Sequence, residues 1–201
     1  MLVDLSLEGR YTLCKSMTNT DNDLALVQRL AAGEDAAMHE LYALYGQRLY
    51  AYALRLTGDP HGAEDVLQDS LVAAWKSFRT FRGDGRLLSW LLGIVHHTAL
   101  KSLRHRSQPI SSEMEETLQS RLPSPEQHTE ADEQSARLRT GLSSLSPEHQ
   151  AVLELVFYQG LTLEEVAQVC RVPLGTVKSR LSYARRSLRA TLVRQGLEET
   201  G

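Results

Sequence analysis

The stretch LTLEEVAQVCRVPLGTVKSRLSYARRSLRATL, Leu161 to Leu192, carries in order the signals of two crossed helices. Thr162 followed three residues later by Glu165 spells a capping box. The hydroxyl takes an orphan amide of the helix start, and the carboxylate returns to the amide of the cap itself. A short helix begins there, with Val166, Ala167, Val169 and Cys170 as its apolar side and Ala167 small enough for close crossing. Pro173 closes the turn and opens a longer helix, since its fixed φ suits a first helical position and its missing amide costs nothing there.

Along that second helix Val177, Leu181, Ala184, Leu188 and Leu192 form one apolar stripe at the helical period. Lys178, Ser182, Arg185 and Arg189 form a second. Between Arg171 and Arg194 the basic residues are Arg171, Lys178, Arg180, Arg185, Arg186, Arg189 and Arg194, with no acid among them. That density suits neutralising phosphates, each contact releasing counterions. The first turn, Leu174 to Ser179 with Thr176 inside it, is placed to meet base edges as in helix-turn-helix docking. The plainer alternative is a solvated basic face on an ordinary helical hairpin.

The chain has 201 residues, 42% hydrophobic and 23% charged, with a formal net charge of -3. This length allows two domains, each burying a core, and the mild acidity excludes a polycation that coats nucleic acid. The charge is sorted. Residues 17–106 hold ten basic and ten acidic side chains, whereas residues 107–140 hold seven acids against three arginines. Cys14 and Cys170 are far apart, which fits a reduced compartment better than a disulfide framework, and Cys170 reads as a small core residue. The most apolar run, Leu87 to Val95, is too short for a membrane span, and the N-terminus lacks signal-peptide character, so a cytoplasmic protein without membrane insertion is expected.

Ahead of the quoted stretch, Met1 to Ser16 show no clear period, and a polar stretch after Met17 would cap a helix; residues 1–20 read as a disordered leader, or the true start is Met17. Helices are expected from about Asp23 to Ala32, from Glu34 through Leu56, and from Ala63 to Phe78. The last, AEDVLQDSLVAAWKSF, has a core side of Val66, Leu67, Ser70, Leu71, Ala74, Trp75 and Phe78. Its other side gathers Asp65, Gln68, Asp69 and Val72, which is either a solvated face or a protein-docking face. The loop FRGDGR, Phe81 to Arg86, feeds a helix from Leu87 to about His105. There Leu88, Leu91, Leu92, Val95, Ala99 and Leu103 face the core, and Trp90, Ile94, His97, Lys101 and Arg104 form an exposed side able to stack on unpaired bases and hold a backbone. His96 and His97 lack a third ligand at metal-binding spacing, so no metal and no cofactor is expected.

Residues 107–135, rich in proline, serine and acid, read as a flexible acidic linker. It divides the chain into a leader (1–20), a first domain (21–106) and a second domain (136–195). Ser146, Pro147 and Glu148 restart a helix that runs to Tyr158, with Gly160 as its stop. No strand-length alternation occurs, so the fold class is all-α: two small helical domains.

Read together, AEDVLQDSLVAAWKSF with FRGDG and SWLLGI, and LSPEHQAVLELVFYQGLTLEEVAQVCRVPLGTVKSRLSYARRSLR, resemble a bacterial RNA polymerase sigma factor of the extracytoplasmic-function type. The resemblance covers roughly Asp23 to Leu192. It implies sigma domain two and sigma domain four, joined by a linker that threads the polymerase's RNA channel. Asp65, Gln68, Asp69 and Val72 would dock on the clamp helices of the largest polymerase subunit, and domain four on the flap of the second-largest. The loop from Phe81, with Arg82, Arg86 and Leu88, and the following Trp90, His97, Lys101 and Arg104 would read and melt the minus-ten element, where a flipped base enters a pocket. Arg171, Pro173, Thr176, Lys178, Ser179, Arg180, Arg185, Arg186 and Arg189 would serve the minus-thirty-five element. An anti-sigma factor is a further partner that the resemblance brings with it.

The chain departs from the family's usual pattern at several places. Cys170 and Arg171 stand where leucine and glycine are common, His97 and Lys101 where asparagine and aspartate are, and Leu71 and Leu88 where bulky aromatics are frequent. A left-handed Arg171 would cost about 1 kcal/mol relative to glycine. The expected function is promoter recognition with core polymerase and no covalent chemistry. The rival is a stand-alone helix-turn-helix regulator, which predicts palindromic half-sites and DNA binding without polymerase.

Overall fold

The computed structural model describes residues 20–81, 85–107, 140–142 and 144–194. Nearly all of the expected leader and of the expected linker, and Arg82, lie outside these. Among the described residues all regular structure is helical: α1 (Thr20–Ala31), α2 (Asp35–Thr57), α3 (Pro60–Ser77), a 3-10 turn (Phe78–Thr80), α4 (Leu87–Ser107), α5 (Pro147–Phe157), α6 (Leu163–Cys170) and α7 (Leu174–Arg194). No helix among them is long and apolar enough to cross a membrane.

Local chemistry sets the helix ends. Gly58 closes α2 in the left-handed region, φ 68°, and donates its amide to the Leu54 carbonyl at 2.8 Å. Asp59 then caps α3, its carboxylate accepting from the amides of His61 at 3.3 Å and Gly62 at 2.9 Å, with Pro60 in the first turn. The same carboxylate receives Arg106 Nη1 at 3.1 Å, so the end of α4 is tied to the start of α3. A Cβ on Gly62 would lie 2.5 Å from the end of the Arg106 side chain, so a larger residue there would displace that guanidinium from Asp59.

α1 to α4 share one core, with Leu26, Leu41, Leu49, Tyr52, Phe78, Leu88, Leu91 and Leu92 almost wholly buried. Each such burial contributes roughly 1.5–3 kcal/mol, so packing rather than helix propensity holds the group together. Tyr45 on α2 donates to Asp23 on α1 at 2.6 Å; burial and that carboxylate push the phenol's pKa upward.

The second group is built on α5, α6 and α7. Pro147 starts α5, and Gln150 Nε2 donates to the Leu142 carbonyl at 2.6 Å and the Leu145 carbonyl at 3.2 Å, gathering the approaching chain. The capping box of α6 is formed in both directions: the Glu165 amide donates to Thr162 Oγ1 at 3.2 Å, and the Thr162 amide to Glu165 Oε2 at 2.8 Å. Arg171 ends α6 at φ 53°, ψ 47°, so the conformation that favours glycine is taken by an arginine. The Pro173 carbonyl accepts from Thr176 and Val177, which makes Pro173 the cap of α7 rather than its first helical residue.

The two groups are not separated in space. α4 packs against α6, and α2 against α5, so their cores merge.

Candidate nucleic-acid and protein interfaces

α7 buries Val177, Leu181 and Ala184 and leaves a basic side outward. Lys178, Arg186 and Arg189 are exposed and Arg185 is half-buried; with Ser182 they make one continuous stripe along the helix. Arg171 and Pro173 are exposed at its N-terminal end, Thr176 is half-buried, and Ser179 donates its hydroxyl to the Thr176 carbonyl at 3.0 Å. Arg180 is different. Half-buried, it acts electrostatically on His96, Glu148 and Cys170, toward the packed side of the molecule rather than with the stripe. Tyr183, 50% exposed with its ring 4.5 Å from that of His149, borders the basic side. Sequence reasoning passed over it; an aromatic on the polar side of an amphipathic helix is the signal that could have found it.

On α3, Asp65, Gln68 and Asp69 are all exposed, and Val72 beside them is 53% exposed. The opposite side, from Val66 to Ala74, is buried in the core. An exposed aliphatic residue among carboxylates and an amide is the composition of a docking face, apolar at its centre and polar at its rim.

The expected exposed side of α4 needs correction. Leu88 is fully buried, so it supports the surface from below and offers no contact to a base. Trp90 is half-buried, its ring 5.3 Å from Phe78 and 5.4 Å from Phe81. His97 and Arg86 lie under α6. The Arg86 Nη1 atom is 3.8 Å from Glu165 Oε1, Ser89 Oγ donates to the same oxygen at 3.1 Å, and a Cβ on Gly93 would meet the Val169 Cα at 3.8 Å. Lys101 and Arg104, two turns further, remain exposed. A helix side polar in sequence is thus partly an internal seam, because α6 presents its own capping carboxylate to it.

Burial alters the chemistry along the seam. Desolvation drives the Glu154 carboxyl up to about 7, although Arg55 Nη1 sits 2.9 Å away and favours the charged form. It drives His96 down to about 4 and the Cys170 thiol up to about 11. Each group is pushed toward its neutral form, as expected where water is excluded. His97 is shifted downward as well, by burial first and then by the Arg171 charge. Arg86 Nε and His97 Nε2 are buried without a hydrogen-bond partner. Among the described residues no three His, Cys, Asp or Glu side chains converge as a metal site.

Comparison with known proteins divides the chain in the same way. Residues 41–108 match the Sigma-70 region 2 family and residues 141–190 the Sigma-70 region 4 family. The ECF RNA polymerase sigma factor SigL of Mycobacterium tuberculosis is 37% identical over 183 residues, covering 87% of this chain and 99% of SigL. The RNA polymerase sigma factor YlaC of Bacillus subtilis is 31% identical over 167 residues, covering 81% of this chain and 96% of YlaC. Among solved structures, the sigma factor RpoE of Bartonella quintana, crystallised with the anti-sigma factor NepR, superposes with a TM-score of 0.61 at 28% identity, covering 77% of this chain and 95% of RpoE. CnrH, solved with the cytosolic domain of CnrY, reaches a TM-score of 0.64 at 24% identity, covering 86% and 97%, and supports the fold.

Proposed function

The chain belongs to the extracytoplasmic-function (ECF) sigma factors of bacterial RNA polymerase, and from that premise we propose how its surfaces divide the work. The protein is a promoter-specificity subunit: it binds core RNA polymerase, recognises promoter DNA and acts in transcription initiation. Residues 21–106 form the polymerase-binding and minus-ten domain, residues 136–195 the minus-thirty-five domain, and residues 107–135 the linker. Asp65, Gln68, Asp69 and Val72 meet the polymerase clamp helices, and the second domain meets the flap. Phe81, Arg82, Arg86, Trp90, His97, Lys101 and Arg104 serve the minus-ten element. Lys178, Arg185, Arg186 and Arg189 hold the phosphates of the minus-thirty-five element, while Thr176 and Ser179 lie nearest its base edges. The protein acts in the cytoplasm, where polymerase and promoter are, and works by binding without covalent chemistry. Because RpoE of Bartonella quintana binds an anti-sigma factor, we extend that class of partner to this chain.

The observation that carries this reading is the outward basic stripe of α7, behind a capped α6, on the same chain as the outward Asp65-to-Val72 face of α3. A stand-alone regulator has no use for the second face, and the region 2 match over residues 41–108 favours the sigma reading. The test is reconstituted transcription from a promoter library, with core polymerase alone and with this protein added. Specific starts that require the protein are expected. Tight DNA binding without polymerase, and no specific starts, would favour the regulator.

A further inference from the structure

We infer that Tyr183, steadied by His149, is the protein's contact to the second phosphate backbone of the upstream promoter element, facing the backbone that the basic stripe of α7 holds. This rests on the assignment of α7 to minus-thirty-five DNA made above.

The helical period sets the two sides apart. At 3.6 residues per turn, Lys178, Arg185 and Arg189 run along one flank of the buried side of α7, and Tyr183 lies on the other, with Ser179 and Arg186 outward between them. A helix in the major groove lies between two walls of phosphate, one from each strand. The stripe supplies charge to one wall. On the Tyr183 flank Arg180 is half-buried and acts on Glu148 and His96 instead, so that side meets its wall with a donor of another kind.

Tyr183 is placed to be that donor. It is 50% exposed, and among the described residues no hydrogen bond occupies its hydroxyl. Its ring lies 4.5 Å from that of His149, tilted by 35°. His149 is half-buried and held in turn, its Nδ1 2.7 Å from Ser146 Oγ and its amide donating to the Ser146 carbonyl at 3.0 Å. The first turn of α5 thus orders the tyrosine ring before DNA arrives, which leaves little rotamer entropy to lose on binding. A phenolic O–H that donates to a phosphate oxygen makes a charge-assisted bond, yet it carries no cation and releases no counterion. Affinity for the upstream element therefore has a part that salt does not weaken.

The test uses holoenzyme, core polymerase with the full chain, and a promoter fragment chosen for a start that requires this protein. Tyr183→Phe removes the hydroxyl and keeps the ring. We expect affinity for the fragment to fall on the order of tenfold with the salt slope unchanged, whereas Arg185→Ala flattens the slope by about one ion. The loss is expected to be the same on fragments carrying single base changes in the upstream element, because a phosphate contact carries no sequence information. His149→Ala is expected to lose part of that factor in the parent and little more in the Tyr183→Phe background, and His149→Phe, which keeps a ring there, to bind as the parent does. Parent-like binding by Tyr183→Phe, a loss confined to one base, additive losses in the double variant, or His149→Phe binding as weakly as His149→Ala would overturn the contact and leave the sigma assignment standing. Absence of specific starts with the unaltered chain would overturn both.

Discussion

Arg55 on α2 and Glu154 on α5 form an ion pair at 2.9 Å across the two halves of the molecule, with the guanidinium also 3.7 Å from the centre of the Tyr158 ring. The carboxylate is nearly inaccessible, and its burial outweighs the arginine. Breaking such a pair from one side leaves a buried charge uncompensated, whereas neutralising the acid does not.

That difference gives a pH signature. Glu154, raised to about 7 from 4.5, adds stability that is full below 4.5 and lost as pH rises through 7. His96, lowered to about 4 from 6.5, adds stability that is full above 6.5 and lost as pH falls through 4. Between 4.5 and 6.5 the slopes oppose each other. Glu154→Gln leaves His96 acting alone, so stability in urea is expected to fall by up to about 1.4 kcal/mol per pH unit on acidification in that window, where the parent is flatter. Parallel curves would remove Glu154 from the balance.

The turn between α6 and α7 predicts opposite effects one helix apart. Thr162→Ala removes the capping box and is expected to lower unfolding stability by about 1 kcal/mol. Arg171→Gly relieves the left-handed arginine at some cost in chain entropy, for a net gain of about 0.5–1 kcal/mol, while Arg171→Ala gives no such gain. Denaturant midpoints of the three variants decide it.

Leu88→Ala tests core against contact. A fully buried leucine truncated to alanine is expected to cost about 2–5 kcal/mol. Thermal unfolding close to that of the parent would mean that Leu88 has a free surface after all.

Asp69→Arg reverses charge on the exposed side of α3 without touching the core. We expect retained helicity and lost holoenzyme assembly in native gels. Normal assembly would place the clamp contact elsewhere.

Arg185→Ala is expected to weaken binding of the upstream promoter element and to shallow the salt dependence by about one ion. Arg180→Ala should leave the salt slope unchanged, since that side chain acts on Glu148 and His96. Equal slopes for the two variants would contradict the division of α7 into stripe and seam.

What the sequence disclosed was local. Thr162 with Glu165, Gly58 with Asp59, and the period of Val177, Leu181 and Ala184 act within a few residues, and the elements they announce are present. The exposure of Asp65, Gln68, Asp69 and Val72 follows from the same periodicity. The seam had no such signal. Arg48 meets Gln159 across 111 positions and Arg55 meets Glu154 across 99, pairings that depend on how finished helices pack. Trp90 and His97 read as exposed and are half-buried for that reason: a polar or aromatic side of a helix looks the same in sequence whether it meets water or packs on its neighbours, Phe78 and Phe81 for Trp90 and α6 for His97. Glu154 within QAVLELVF was the one local hint, a lone acid amid buried aliphatics.

Because Arg48 and Gln159 belong to one chain, their encounter is unimolecular, and its equilibrium does not depend on how many copies a cell holds. The contact between the two halves therefore forms in the same proportion in a dilute solution of the protein as in a concentrated one.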